Sequence, residues 1–382
     1  MVIRPVTRLF ALRPAALLVC AAVMVSTMSG CRRDDSLKIG YLGTLSGRHS
    51  DLGVAGRDGT IFAVEEINRA GGINGKRLKL VVRDDEGKAE SAQTAVRELI
   101  AAGVTAIVGP MTSSMAVVTV PIVNNSRVIM VSPTVSTGEL SGRDDNFLRI
   151  YPTNAQKIRQ LAEYARKSLG LSRLAVVYDL SNRSYTDDWR QAFTRQFESL
   201  GGTVAPAVSF DASGQTDYLS VARTLLAKKP QGVLILAGGV DSAMFCQQIR
   251  KLDTAMALFA TEWSSTPELL VHGGSAVEGI VYCQNFIRDD DSTPYVTFCR
   301  SFDARFGQIP DFGAVYAYQA VRVIGKAFAS ARTAGDLKGA ILGIGTFPGL
   351  QGEFTIDRFG DADRKPFLMT VRQGAFRRVE VP

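Results

Sequence analysis

The segment IVGPMTSSMAVVTVPI, residues 107–122, runs from an apolar strand into an apolar helix, and the joint carries Thr112, Ser113 and Ser114. Unpaired backbone N–H groups and the positive end of the helix dipole favour an anion there, and a serine hydroxyl can donate one further hydrogen bond. The joint therefore has the make-up of a seat for a small carboxylate or phosphate. The same hydroxyls would serve equally as caps of their own helix. The next strand ends alike, in VSPTVST, which puts Ser132, Thr134, Ser136 and Thr137 in one loop. Two further strand ends add an aromatic hydroxyl, Tyr185 in LSNRSYTDDW, and a carboxylate beside an indole, Glu262 and Trp263 in FATEWSS. Alone, Glu262 reads as a surface charge or a neighbour of a helix start. Beside an anion seat it suggests a zwitterionic ligand, with hydroxyls and N–H groups holding a carboxylate while Glu262 holds an ammonium.

Such loops meet only if their strands end at one edge. Short Val, Ile and Leu runs recur at 37–43, 78–84, 105–109, 128–131, 174–178, 202–208, 232–236, 257–260 and 279–283, mostly separated by helix-length segments. Phe62, Ala63, Ile67 and Ala70 share one helical face, and Ala92, Val96, Leu99, Ile100 and Gly103 another. Gly71 and Gly72 suit a left-handed helix stop. Strands that are apolar throughout are covered on both faces, so the alternation predicts α/β architecture with parallel, doubly wound sheets. A chain of 382 residues with this many strands predicts two lobes. LRIYPTN at 148–154 is a plausible crossover, and the apolar helix 312–333 with the tail beyond it suggests that the chain revisits both lobes. Ligands of open parallel sheets sit at the carboxyl ends of strands, where all four loops lie.

Composition excludes several functions. The 46% hydrophobic and 21% charged content is that of a globular protein. Without the first thirty residues 41 basic side chains face 37 acidic ones, too mild an excess for nucleic acid. There is no GxSxG elbow, no GxGxxG in a strand-to-helix turn and no Walker A lysine loop, and Gly343 and Gly345 form a lone GxG, so no enzyme and no cofactor is expected. His49 and His272 are too few for a histidine metal site or a Ser-His triad and read as loop or surface residues. Without a CxxC, zinc and thioredoxin chemistry have no basis, while Cys283 and Cys299 are either a disulfide or two free thiols.

Arg4, Arg8 and Arg13, the apolar run Ala15 to Val25 and the small residues before Cys31 read as a cleaved export signal. TMSGC resembles a bacterial lipobox, which implies diacylation of Cys31 and a lipid tether for an otherwise soluble domain.

Taken together, IGYLGTLSGRHSDLG, AVEEINRAGGINGKRLKLVVRDDEGK, IVGPMTSS, VSPTVS and the closing GLQGEFTIDRFGD resemble the type I periplasmic solute-binding proteins of ABC transporters, in particular the leucine/isoleucine/valine-binding group. The resemblance covers nearly the whole mature chain. It implies two doubly wound parallel-sheet lobes joined by three crossovers: a leader at 1–30, a tether at 31–36, an N-terminal lobe of 37–154 plus 288–346 and a C-terminal lobe of 155–287 plus 347–382. It implies that Ser113 binds an α-carboxylate, that Thr134 and Ser136 bind ammonium and carboxylate, and that Tyr185 and Glu262 complete the seat, with Thr112 beside it. Leu52 stands where the group often has a cleft tyrosine, no aromatic follows the strand at 232–236, and the first-lobe disulfide has no counterpart, Thr112 standing in its loop. Trp263 is then a candidate for the missing apolar surface. The implied function is capture of an amino acid, branched-chain-like or otherwise apolar or aromatic, by a monomeric, lipid-anchored periplasmic or cell-surface protein that serves an ABC permease. An amide, urea or aromatic carboxylate as ligand, or a ligand-sensing role, are the alternatives.

Overall fold

Short apolar runs become strands here because helices cover both sheet faces. β1 (Leu37–Gly43), β2 (Leu78–Asp84), β3 (Ala106–Val108), β4 (Ile129–Ser132) and β5 (Phe147–Arg149) form a parallel sheet of order β2-β1-β3-β4-β5. α1 (Ser50–Arg69), α2 (Ala89–Ala101) and α3 (Ser113–Asn124) make the successive crossovers. The computed structural model describes residues 1–2, 36–48, 50–331 and 334–380; the leader, Cys31 and His49 lie outside these residues. The expected inner faces are found in part: Phe62, Ala63 and Ile67 of α1 and Ala92, Val96 and Leu99 of α2 are buried, while Ile100 is half-buried and Ala70 and Gly103, beyond the helix ends, are exposed. Gly71 and Gly72 end α1 at φ 97° and 80°, left-handed values that a side chain resists.

The second sheet has eight strands: β6 (Arg173–Asp179), β7 (Thr203–Val204), β8 (Val208–Phe210), β9 (Gly232–Leu236), β10 (Ala257–Phe259) and β11 (Val281–Gln284) are parallel, and β15 (Phe367–Arg372) and β16 (Ala375–Arg378) add an antiparallel edge. The single strand expected at 202–208 is two, because Pro206 has no N–H to give the ladder. α4 (Ala155–Glu163), α5 (Arg183–Ser199), α6 (Tyr218–Leu226), α7 (Gly239–Leu252) and α8 (Pro267–Gly273) accompany this sheet. α9 (Thr293–Phe306), α10 (Phe312–Ser330) and α11 (Leu337–Ile344) follow, and β12 (Thr346–Gly349), β13 (Gly352–Ile356) and β14 (Ala362–Asp363) form a small antiparallel sheet. The chain thus passes between the large sheets near 150–154, 285–292 and 364–366.

The long helix returns to the first sheet. α10 lies so close to α1 that a β-carbon on Gly59 would stand 2.1 Å from the Ala314 carbonyl oxygen, so only glycine permits the approach. Beside it the Phe62 ring meets Phe298, Phe302 and Phe306 edge-on at centroid distances of 5.8, 5.7 and 6.3 Å, which favours aromatic pairs over face-to-face stacking. Cys246, Cys283 and Cys299 are free thiols, so the disulfide alternative is not taken. Exposed His272 is a surface residue. Among the described residues no helix is long and apolar enough to cross a membrane.

Asp311 caps α10 by accepting from Ala314 N at 3.0 Å. Burial pushes its carboxyl from the ordinary 3.8 up to about 6, against that hydrogen bond and Arg288. The folded chain holds this proton more tightly than the unfolded one, so the group's contribution is fully present below pH 3.8 and is lost as pH rises through about 6. Asp311→Asn keeps a capping oxygen without the charge and is expected to gain about 1–3 kcal/mol at neutral pH and almost nothing in acid. Urea unfolding at the two pH values checks it; an equal effect at both would contradict the assignment.

Candidate ligand-binding site

β3 delivers the first loop. Gly109 turns at φ 121° where a β-carbon would stand 2.0 Å from the Leu42 carbonyl oxygen, and its bond to Pro110 is cis. Thr112 is the N-cap of α3 in extended conformation, yet its side chain makes no capping hydrogen bond. Ser113 follows, buried, on the wall of a cavity. Ser114 reaches elsewhere: its N–H donates to Asn182 Oδ1 at 3.1 Å, and its hydroxyl accepts from Ser184 N at 3.1 Å. The starts of α3 and α5, one from each large sheet, are thereby clasped. Arg48 makes a second clasp, 2.8 Å from Asp241 of α7, while Tyr218 donates to the same carboxylate at 2.5 Å.

The loop after β4 is stitched to the first. Ser132 donates to the Pro110 carbonyl at 2.9 Å and accepts from Val135 N at 3.2 Å, and Thr134 donates to the Met111 carbonyl at 2.5 Å. Of the expected residues, Leu52, Ser113, Thr134, Tyr185, Glu262 and Trp263 line one small cavity, with free room of about 20 Å³, joined by Met111, Asn182 and Phe312. That is room for about one water, well below the roughly 300–1,000 Å³ of ligand pockets, so a solute needs the walls to part. Thr112 and Ser136 do not line it: Thr112 is half-buried at the cap of α3, and Ser136 is fully buried. A larger groove beside Ile73, Arg322 and Phe347 gathers no candidate residue and no buried unpaired polar side chain among the described residues, so the chemistry points to the smaller cavity.

The wall is apolar and aromatic on one side, with Trp263 meeting Tyr185 edge-on at 5.8 Å beside Leu52, Met111 and Phe312. On the other side Glu262, 3% exposed, opens a short 3-10 turn after β10. Its charge is already matched. Lys157 of α4, wholly buried, donates to Glu262 Oε1 at 2.5 Å and stands 4.3 Å over the Tyr151 ring. Burial pulls the Lys157 ammonium below its ordinary value, and the Glu262 carboxylate pulls it back up. Burial first, and Glu262 next, hold the phenols of Tyr151 and Tyr185 well above theirs. Glu262 Oε2, the Tyr185 hydroxyl and the Tyr151 hydroxyl are buried and make no hydrogen bond of good geometry, although Tyr185 stands close to Glu262, Thr261 and Trp189 and Tyr151 close to the Asn285 backbone.

A buried carboxylate without a cation is costly. The protein supplies that cation itself. Lys157 was missed although a signal existed: with Ile158, Leu161 and Ala162 it makes the buried face of α4, where a lysine is out of place unless paired. Met111, Asn182 and Phe312 carried no comparable signal. Among the described residues no cluster of His, Cys, Asp or Glu is arranged to hold a metal.

A family model described as periplasmic binding protein matches residues 36–375. The chain belongs to the periplasmic binding protein family. Members bind solutes, and the cavity at the strand ends is where this fold leaves room for one. The Leu/Ile/Val-binding protein BraC3 of Rhizobium johnstonii is 24% identical over 339 residues, covering 87% of this chain and 90% of that protein. The leucine binding protein LivK from Thermotoga maritima is 25% identical with a TM-score of 0.83, over 90% of this chain and 98% of its own. A solute binding protein from R. palustris, solved in complex with benzoate, shares the fold at a TM-score of 0.81 and 20% identity, over 90% of this chain and 95% of its own. One periplasmic binding protein fold thus carries proteins for an amino acid and for an aromatic acid, and the ligand must be argued from the cavity.

Proposed function

We propose that this protein is an extracytoplasmic solute-binding lipoprotein that closes on a small carboxylate of amino-acid size, with an apolar or aromatic side group, and delivers it to an ABC permease. The observation that carries the reading is the convergence of Ser113, Thr134, Tyr185, Glu262 and Trp263, from four loops, on one cavity. Ser113 and the start of α3 offer donors to a carboxylate, while Leu52, Met111, Trp263 and Phe312 face the side group. Amino acids, which the relatives BraC3 and LivK are named for binding, fit this description, and so do acids with another second polar group. Contacts from both large sheets favour the closed clamp when ligand is present, and the permease reads that state. The lipid anchor rests on TMSGC ahead of Cys31 and is tested by whether Cys31→Ala frees the protein from the membrane fraction.

Tryptophan emission tests the ligand class. Trp263 lines the cavity and buried Trp189 shares α5 with Tyr185, so closure should change their fluorescence. Titration with amino acids, hydroxy acids, aromatic carboxylates and amides is expected to give a saturable response to carboxylates, and response to neutral amides alone would overturn the reading. Ser113→Ala should weaken the bound carboxylate by about 1.5–3 kcal/mol, roughly 10- to 100-fold in Kd, because one hydrogen bond to a charged group is lost. Unchanged affinity in the same titration would remove Ser113 from the seat.

A further inference from the structure

From the Lys157–Glu262 pair we infer that the preferred solute is a hydroxy acid, a carboxylate whose second polar group is a hydroxyl and not an ammonium. The inference rests on the carboxylate-binding reading above and narrows it. Glu262 Oε1 is taken at 2.5 Å by Lys157, which is itself wholly buried, so the cavity meets an ion pair in place of a free anion. The field of such a pair falls off faster than that of a single charge, and a ligand ammonium at Oε2 would be attracted by Glu262 while repelled by Lys157 behind it. The desolvation cost of that ammonium is undiminished, so its net gain is small.

The unpaired atoms point the same way. Glu262 Oε2 makes no hydrogen bond of good geometry, and neither does the Tyr185 hydroxyl, which stands close to Glu262, Thr261 and Trp189 on the same cavity wall. A ligand hydroxyl donates one hydrogen bond and accepts another, so it satisfies the Glu262 oxygen and the Tyr185 O–H together. An ammonium has three donors and no acceptor, so it can donate to the Glu262 oxygen but accept nothing from Tyr185. Lys157 touches no ligand in this arrangement. It is a positioning residue that neutralises Glu262 and fixes one of its oxygens, leaving the other for the solute.

Two isosteric pairs isolate the exchange of ammonium for hydroxyl: leucine with 2-hydroxy-4-methylpentanoate, and phenylalanine with 3-phenyllactate. Calorimetric titration of the purified protein is expected to show the hydroxy acid at least tenfold tighter in the pair that fits. In Lys157→Met the uncompensated Glu262 should welcome an ammonium, and the ratio should move at least tenfold towards the amino acid, a change that loss of packing alone would not produce. An amino acid that binds the wild-type protein as tightly as its hydroxy analogue, or a ratio unmoved in folded Lys157→Met, overturns the inference and leaves carboxylate binding intact. The wild-type comparison decides the matter even where Lys157→Met does not fold. Binding of no carboxylate at all overturns the proposed function and this inference with it.

Discussion

A Lys157→Ala protein is expected to lose about 3–5 kcal/mol of folding stability, the usual cost of stripping one partner from a buried ion pair. No other cation is paired with Glu262 among the described residues. Lys157 is wholly buried, Glu262 is nearly so, and the Glu262 carboxylate would be left beside unpaired phenols whose own deprotonation its charge already opposes. The paired replacement Lys157→Met with Glu262→Gln removes both charges and should recover most of the loss, since a buried pair replaced by neutral groups of similar volume is often close to neutral. Urea unfolding of the three proteins measures this. A single variant within about 1 kcal/mol of wild type would mean that water reaches the pair.

The second large effect lies away from the cavity. Arg149, at the end of β5, is fully buried and donates through Nε to Asp361 at 2.7 Å, through Nη1 to the Thr137 carbonyl at 2.8 Å and through Nη2 to Ser141 Oγ. Its own N–H donates to the Gly360 carbonyl at 2.9 Å. One guanidinium therefore ties the turn between β13 and β14 to the end of the first large sheet and to the loop that carries Thr134. Burial lowers its proton affinity, while Asp361 first, and Asp188 and Asp357 after it, restore it. Arg149→Ala is expected to cost about 3–5 kcal/mol and to open the β12–β14 segment to hydrogen exchange before the rest of the fold. Arg149→Lys should recover little, because an ammonium cannot span three acceptors in a plane. Uniform exchange across the protein, or a loss under about 1 kcal/mol, would show that the segment is held by other contacts.

Most of the architecture could be read along the chain. The runs at 37–43, 78–84 and 232–236 are strands with the expected bounds, and Gly71 and Gly72 stop α1 as their freedom of φ allows. These features are local: a strand buried on both faces must be apolar throughout, and a left-handed stop needs glycine. The break at Pro206 is equally local, since proline has no N–H to give the ladder.

The cavity was legible in part, for the same reason. Ser113, Thr134, Tyr185, Glu262 and Trp263 all sit just after strands, and parallel strands bring such positions to one edge whatever their distance in sequence. Ser136 and Thr112 have the same residue types in the same loops, yet one is buried beneath and the other stands at the cap, since the direction of a loop side chain depends on what packs under it. The sequence by itself determined the layered α/β plan, the family and the edge at which a ligand sits, because these follow from periodicity and from residues adjacent in the chain. Only the tertiary structure decided that Glu262 has Lys157 for a partner, 105 positions away, and that Arg149 has Asp361, 212 positions away. Whether a buried charge is free for a ligand or already matched is set by the one side chain that the folded chain brings within 3 Å, and no local pattern records that meeting.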